Sequence, residues 1–354
     1  MNVKKLAIGV AVLLVLAGGG WWAQSWLNAP RTAAREGKPL LAAVDLTQAA
    51  RIEVVGHAAH ATLTASPEGW LVEEQGRFPA DQGKLGSLLF KLSEEKLADK
   101  VTDNPARLGE LGLLTAEENG GKLEENKTAK RFVIRDQAGK TLYELLIGKD
   151  RQAGPTTSAA GGQYVRFPGE AAAYLVGTTL LVDPEAKDWI QRALLPPDIQ
   201  KQFQRIRVTP AGKKPLVFAR EKADAPWQLD GASQRGLNVK EIENLAKRIA
   251  DLEAVQVAQA DATPAELGRA KTALVEVSLF DGRGFRIEVG EAQAPDKFRY
   301  LSLGETLTPS VKDAALKQEA AAFNARFGKR HVAVQDWEAG RLLKERKEYM
   351  QAGG

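Results

Sequence analysis

The 354-residue chain contains no cysteine, and that absence removes disulfide frameworks, thiolate nucleophiles, thiolate zinc sites and lipidated cysteine anchors together. Export to an oxidising compartment stays open, because disulfides there are optional. Histidine is scarce as well, with three residues in all. His57 and His60 stand three apart in a turn between two predicted strands and His331 is remote, whereas a zinc site wants three or four ligands. No metal or cofactor is assigned. No GxSxG elbow is present, and Ser66, Ser87, Ser93 and Ser158 fall in turns or on polar helix faces, so a serine hydrolase is not indicated. The carboxylate pairs Glu73-Glu74 and Glu94-Glu95 are adjacent in sequence and therefore diverge in either a strand or a helix. "GKDRQAGP" and "GGQYVRF" lack the pattern of a phosphate loop and are expected as hairpin loops. Charge of one sign is missing too: 49 basic groups face 45 acidic ones, which excludes a nucleic-acid groove as the expected function.

What is present is a folded composition, 44% hydrophobic and 27% charged, on a chain long enough for two domains. Residues 1–5, "MNVKK", precede "LAIGVAVLLVLAGGGWWAQSWL" at residues 6–27, a stretch without formal charge. As a helix it would reach about 33 Å, the thickness of a hydrocarbon core. Lys4 and Lys5 place its N-terminus in the cytoplasm and Trp21, Trp22 and Trp26 suit the far interface, so the chain after Leu27 is expected outside, in the periplasm. A cleaved signal peptide is the competing expectation, with Ala23 and Ser25 at a small-x-small site; the adjacent tryptophans favour a retained anchor. Both export the body of the protein.

After a linker over residues 28–44, one pattern is written twice. Trp70 and Trp227 lie 157 apart, as do Asp81 and Asn238, Leu85 and Ile242, Leu88 and Leu245, and Leu92 and Ile249. "RIEV" at Arg51 matches "RIRV" at Arg205, "PARLG" at Pro105 matches "PAELG" at Pro264, and "YELLIG" ending at Gly148 matches "FRIEVG" ending at Gly290. "TAEENGGKLEENKTAK", residues 115–130, is a polar insertion in the first copy only. Each copy predicts short strands, a helix capped by Asp81 or Asn238 with one apolar stripe, then more strands joined by hairpins. The expected fold is α+β: two tandem related modules, each a mainly antiparallel sheet with one covering helix, over residues 45–180 and 205–308. A connecting helix stopped by Pro196-Pro197 is expected over residues 181–204 and a helical segment over residues 309–354. Trp70, Trp227, Tyr164 and Tyr300 recur at equivalent places, either as an aromatic binding face or, the simpler expectation, as repeated core packing.

Gly69-Trp70, Pro79-Ala80-Asp81, Leu111-Gly112-Leu113, Ile147-Gly148, Gln163-Tyr164-Val165-Arg166 and Trp189, behind a single N-terminal apolar run, resemble the DUF4340 family. Those bacterial proteins of unknown function are often encoded beside gliding-type ABC transporter subunits. The resemblance covers most of the chain after residue 45 and carries no catalytic residues across. It implies a non-enzymatic accessory or scaffolding protein of the inner membrane, with transporter permease and ATPase subunits as partners. An anchored binding module for a cell-wall or lipid ligand is the alternative, and an envelope hydrolase the weakest expectation.

Overall fold

Branched apolar residues alternating with polar ones from Arg51 onward form antiparallel strands in the computed structural model, which describes residues 35–42, 44–151, 161–230, 236–293 and 298–350. The anchor expected at residues 6–27 and Ser158 lie outside the described residues, among which no helix is long and apolar enough to cross a membrane. Contacts divide the chain into two units, one ending at Trp189 and the next beginning at Ile190.

The first unit is a nine-stranded sheet of β1 (Arg51–Val55), β2 (His60–Ser66), β3 (Gly69–Val72), β4 (Phe78–Pro79), β5 (Leu97–Thr102), β6 (Lys130–Arg135), β7 (Thr141–Arg151), β8 (Gly162–Arg166) and β9 (Ala173–Val176). Its spatial order is β4-β3-β2-β1-β6-β7-β8-β9-β5, antiparallel throughout. In β1 the period-two pattern buries Ile52 and Val54 and turns Arg51 and Glu53 outward. Helix α1 (Gln82–Glu94) starts where the Asp81 carboxylate accepts the Lys84 N–H at 2.9 Å, and it buries Leu85, Leu88 and Leu92. Each such burial is worth about 1.5–3 kcal/mol, which a polar replacement would forfeit. The polar insertion is fastened by Arg166, whose buried guanidinium donates to both carboxylate oxygens of Glu118, at 2.7 and 2.6 Å, and to the Leu113 carbonyl.

The second unit is an eight-stranded sheet of β10 (Phe203–Thr209), β11 (Leu216–Ala219), β12 (Gln228–Leu229), β13 (Gln256–Val257), β14 (Ala273–Leu279), β15 (Arg283–Val289), β16 (Phe298–Leu307) and β17 (Val332–Gln335), in the order β12-β11-β10-β14-β15-β16-β17-β13. Helix α2 (Val239–Ala250) is capped by Asn238 and buries Ile242, Leu245 and Ile249. Helix α3 (Ala314–Phe327) packs on β16, and α4 (Asp336–Leu342) follows β17.

The two orders are one topology. Setting β10 on β1 and β14–β17 on β6–β9 brings β13 onto β5 and β12 onto β3, with β4 alone unmatched among the described strands. Helix α3 is an addition: in the first unit, β8 reaches β9 through residues 167–172 with no helix.

The ends of the repeat differ from expectation. Leu40 N–H donates to the Glu95 carbonyl at 2.9 Å and Leu97 N–H to the Lys38 carbonyl at 3.0 Å, with a bridge between Pro39 and Lys96. In the second unit Leu194 N–H donates to Leu252 and Ala254 N–H to Arg192, with a bridge between Ala193 and Glu253. Each unit therefore opens with a short edge segment laid beside the chain that leads from the helix into β5 or β13. Each also closes alike: Asp81 N–H donates to the Trp189 carbonyl at 2.7 Å, and Asn238 N–H to the Tyr349 carbonyl at 2.8 Å. "EAKDWI" at residues 185–190 and "ERKEYM" at residues 345–350 are the same closing turn.

Residues 181–204 consequently hold no α-helix. They carry two 3-10 turns, Ala186–Trp189 and Ile199–Gln202, the first closing one unit and the second opening the next. Of the expected linker over residues 28–44, the part from Arg35 is docked on the first unit, with Leu40 and Leu41 buried. The expected helical segment over residues 309–354 is a helix, a strand, a short helix and a 3-10 turn at Arg346–Tyr349, all built into the second unit. Hairpin periodicity was strong enough to reveal the strands, whereas these closing turns are held by tertiary partners.

Candidate functional site

The four recurring aromatics stay apart within each unit. Trp70 lies on β3, half-buried, its backbone N–H and C=O bonded to the Gln82 side chain at 3.4 and 3.1 Å. Tyr164 lies on β8, packed against the cluster of Leu108, Leu111, Leu113, Ala129, Leu146 and Ala173. Five strand spacings of ~4.8 Å separate β3 from β8, about 24 Å in all, too far for one aromatic face. In the second unit Trp227 is buried beneath the Arg220 guanidinium, and the Tyr300 hydroxyl meets Gln256 at 3.4 Å. His57 meets the Thr128 carbonyl at 3.1 Å and His60 stands 3.4 Å from Glu74. Among the described residues no three His, Asp or Glu side chains converge as a metal site.

The chemistry-bearing cluster emerges from comparing the units at the loop before β6 in the first and β14 in the second. Leu111, Gly112 and Leu113 donate their N–H groups to residues four, three and five back, Arg107, Gly109 and Leu108. Leu267, Gly268 and Arg269 repeat that ladder to Thr263, Ala265 and Pro264. Gly112 and Gly268 both sit in the left-handed region, at φ +70° and +64°. Structural register thus sets Glu110-Leu111-Gly112 on Glu266-Leu267-Gly268 and corrects the match of PARLG with PAELG by three residues.

On this register Leu113 becomes Arg269, Leu146 becomes Glu288, Arg166 becomes Ser302, and Ala173 becomes His331. Three members of an apolar cluster in one unit, Leu113, Leu146 and Ala173, are polar in the other, and the buried Arg166 beside them gives way to a serine. Arg269 donates to Glu288 at 2.7 Å, to the Ser302 hydroxyl, and to His331 Nδ1 at 2.9 Å. Ser302 Oγ lies 2.8 Å from the same Nδ1. With two donors on Nδ1, the ring proton belongs on Nε2. Burial first, then the neighbouring Arg269 cation, hold the His331 pKa below its usual value. For Glu288, burial pushes upward, but hydrogen bonds from Arg269 and Arg286 outweigh it and lower the carboxyl.

A serine hydroxyl against an imidazole nitrogen resembles a nucleophile and its base, yet the third member has the wrong sign. A productive histidine is steadied as imidazolium by a carboxylate, whereas here a guanidinium opposes the charge. The geometry instead ties the loop at Arg269 to β15, β16 and the start of β17. Sequence inspection missed it because the four residues are spread over 63 positions and share no spacing.

Glu305, on the other face of β16, is 7% exposed, and its Oε1 has no hydrogen-bond partner. Burial, which outweighs the attraction of Arg283 at 3.8 Å, pushes its pKa up to about 7. The side chain of Asn324 on α3 clasps the Glu305 backbone, accepting its N–H and donating to its C=O, each at 2.8 Å.

An α+β chain carrying two antiparallel sheets of one topology, each opened and closed by the same ties, is an internally duplicated protein. It belongs to the DUF4340 family, a domain of unknown function, whose profile matches residues 70–271. The match begins in β3 and stops just after the Glu-Leu-Gly loop of the second unit, so it takes the later part of one unit and the earlier part of the next. No curated protein and no solved structure matches the chain.

Proposed function

We propose that the chain is a bacterial envelope protein held in the inner membrane by residues 6–27, its N-terminus cytoplasmic and both units in the periplasm, where it serves as a non-enzymatic accessory or scaffolding subunit of an ABC-type transport system. Its partners are the membrane and the permease and ATPase subunits. The observation that carries this reading is the replacement of Leu113, Leu146, Arg166 and Ala173 by Arg269, Glu288, Ser302 and His331 within one retained fold. Both sets fasten the same loop to the same strands, so what the duplication preserves is the fold and not a set of reactive side chains. Family membership and the cation-flanked apolar run support the location.

Affinity purification of the full-length protein from native membranes in mild detergent tests this. Permease and ATPase subunits recovered in fixed proportion are the expected result. Recovery of the protein alone, with the transporter present in the same extract, would overturn it.

A further inference from the structure

The first unit carries a surface next to the point where the chain enters it, and that surface has a distinct chemistry. The docked opening strand meets the C-terminal turn of α1, where Leu41 N–H donates to Leu92 and Leu40 N–H to Glu95. The same turn is bonded on its other side to residues 177–179. The Glu95 carboxylate accepts from Gly177 N–H at 2.8 Å and the Thr178 hydroxyl at 3.1 Å, and Lys91 Nζ donates to the Thr179 carbonyl at 2.6 Å. Beside these ties stand Phe90, 61% exposed, and Leu181, 69% exposed, two of the most exposed large apolar side chains among the described residues. Single exposed apolar side chains are ordinary, so what gives these two meaning is their place beside the chain entry.

Chain length says what lies within reach. The apolar run ends at Leu27 and the docked segment begins at Arg35, leaving residues 28–34 between. Seven residues span at most about 25 Å. Along the sheet, β4 stands eight strand positions from β5, so the tether enters at one end of the strand order. Whatever holds the apolar run therefore holds the β5 edge close.

We propose that this edge faces the bilayer, with Phe90 and Leu181 entering the lipid interface and Lys91 and Lys96 beside them at headgroup level. The inference rests on the anchoring reading above and adds which surface meets the membrane. Apolar side chains flanked by lysines suit that boundary, where the ring and branched chain leave water and the ammonium groups stay in it.

The absence of cysteine makes the test clean, since each introduced thiol is the only one. Full-length Phe90→Cys, Leu181→Cys and, on the β2–β3 turn, Glu68→Cys are labelled with an environment-sensitive fluorophore and reconstituted in phosphatidylcholine–phosphatidylglycerol vesicles carrying headgroup-level nitroxide lipids. Quenching severalfold stronger at positions 90 and 181 than at 68 is expected. Equal quenching at all three positions, with the protein retained after an alkaline wash, would overturn the surface alone. Loss of the protein in that wash would overturn the anchoring and the surface with it.

Discussion

Gly148 lies so close to Leu111 that a Cβ on the glycine would run into the leucine's carbonyl oxygen, and Gly290 repeats the approach against Leu267. The close approach lets Lys149 N–H donate to the Leu111 carbonyl at 3.0 Å and Glu291 N–H to Gly268 at 2.9 Å, pinning the Glu-Leu-Gly loop to the sheet in each unit. Backbone atoms cannot move aside as a side-chain end can. Gly148→Ala and Gly290→Ala should therefore each cost roughly 1–3 kcal/mol, read as a lowered urea midpoint. Gly139→Ala is no neutral control, since that glycine has positive φ; Gly86→Ala, on α1 with open space around it, should be neutral or slightly stabilising.

The closing turns make a second prediction. Lys84 on α1 pairs with Asp183 at 2.7 Å in the first unit, and Glu241 on α2 pairs with Lys344 at 2.8 Å in the second, so the tie recurs with its charges exchanged. Burial raises the Glu241 carboxyl, but hydrogen bonds from Lys344, Arg248 and Asn244 overcome this and lower it to about 2. Tyr349 is 1% exposed and its ring lies 4.8 Å from that of Phe218. Tyr349→Ala should cost about 3–5 kcal/mol, and deletion of residues 343–354 should leave the second unit open to limited proteolysis while the first resists. Equal resistance of both would show that the turn is not part of the unit.

Glu305 predicts a pH dependence. Its folded carboxyl keeps a proton up to about pH 7, whereas the free carboxyl of an unfolded chain releases it near 4.5. Between those values the folded state binds the extra proton, so the stabilisation is complete below about pH 4.5 and is lost as pH rises through 7. Asp281, Arg283 and Glu319 share its surroundings, and the two acids push in the same direction. Glu305→Gln should remove this contribution, flattening the unfolding midpoint of the second unit between pH 5 and 8.

His331, immediately before β17 and bonded to Ser302 on the face of β16 opposite Glu305, works in the opposite sense. Its folded pKa is depressed, so its contribution is present above about pH 6.5 and is lost as pH falls through the folded value. With three histidines in the chain, the imidazole resonances are readily assigned by substitution. The His331 titration midpoint should lie below 6.5 and move up in Arg269→Leu, which removes the nearby cation. A midpoint unchanged by that substitution would show that Arg269 does not set it.

What was legible in the sequence follows from what is periodic. Strands such as β1 and helices such as α1 and α2 announce themselves because their own side chains alternate or form a stripe, and Trp70 and Trp227 lock the two copies in register. The opening and closing segments have no period. Lys38–Leu40 and Arg192–Leu194 are held by backbone bonds to a distant edge, which any residue with an N–H can make, so their equivalence shows only in the pairing. Proline at 196 and 197 suggested the end of a helix, but proline equally suits the irregular path from one unit's close to the next one's start. The Arg269 cluster was hidden for a different reason: its identity lies in being the polar version of an apolar site, which only superposed topologies reveal.

That relation between the units also predicts how the cluster tolerates change. Arg269→Leu leaves Glu288 with Arg286 at 3.1 Å as its remaining cation and strips Ser302 and His331 of a donor, at a cost of roughly 2 kcal/mol. Replacing Glu288 by Leu in addition should recover at least half of that loss, because Leu113 and Leu146 already fill the equivalent places with full burial. Charged pairs removed together are commonly replaced by apolar packing at little cost, whereas removing one partner leaves the other exposed to desolvation. A double-mutant cycle on urea midpoints measures the coupling. If the double variant is as unstable as the sum of the singles, the two units do not share this site, and the register drawn through Gly112 and Gly268 is wrong.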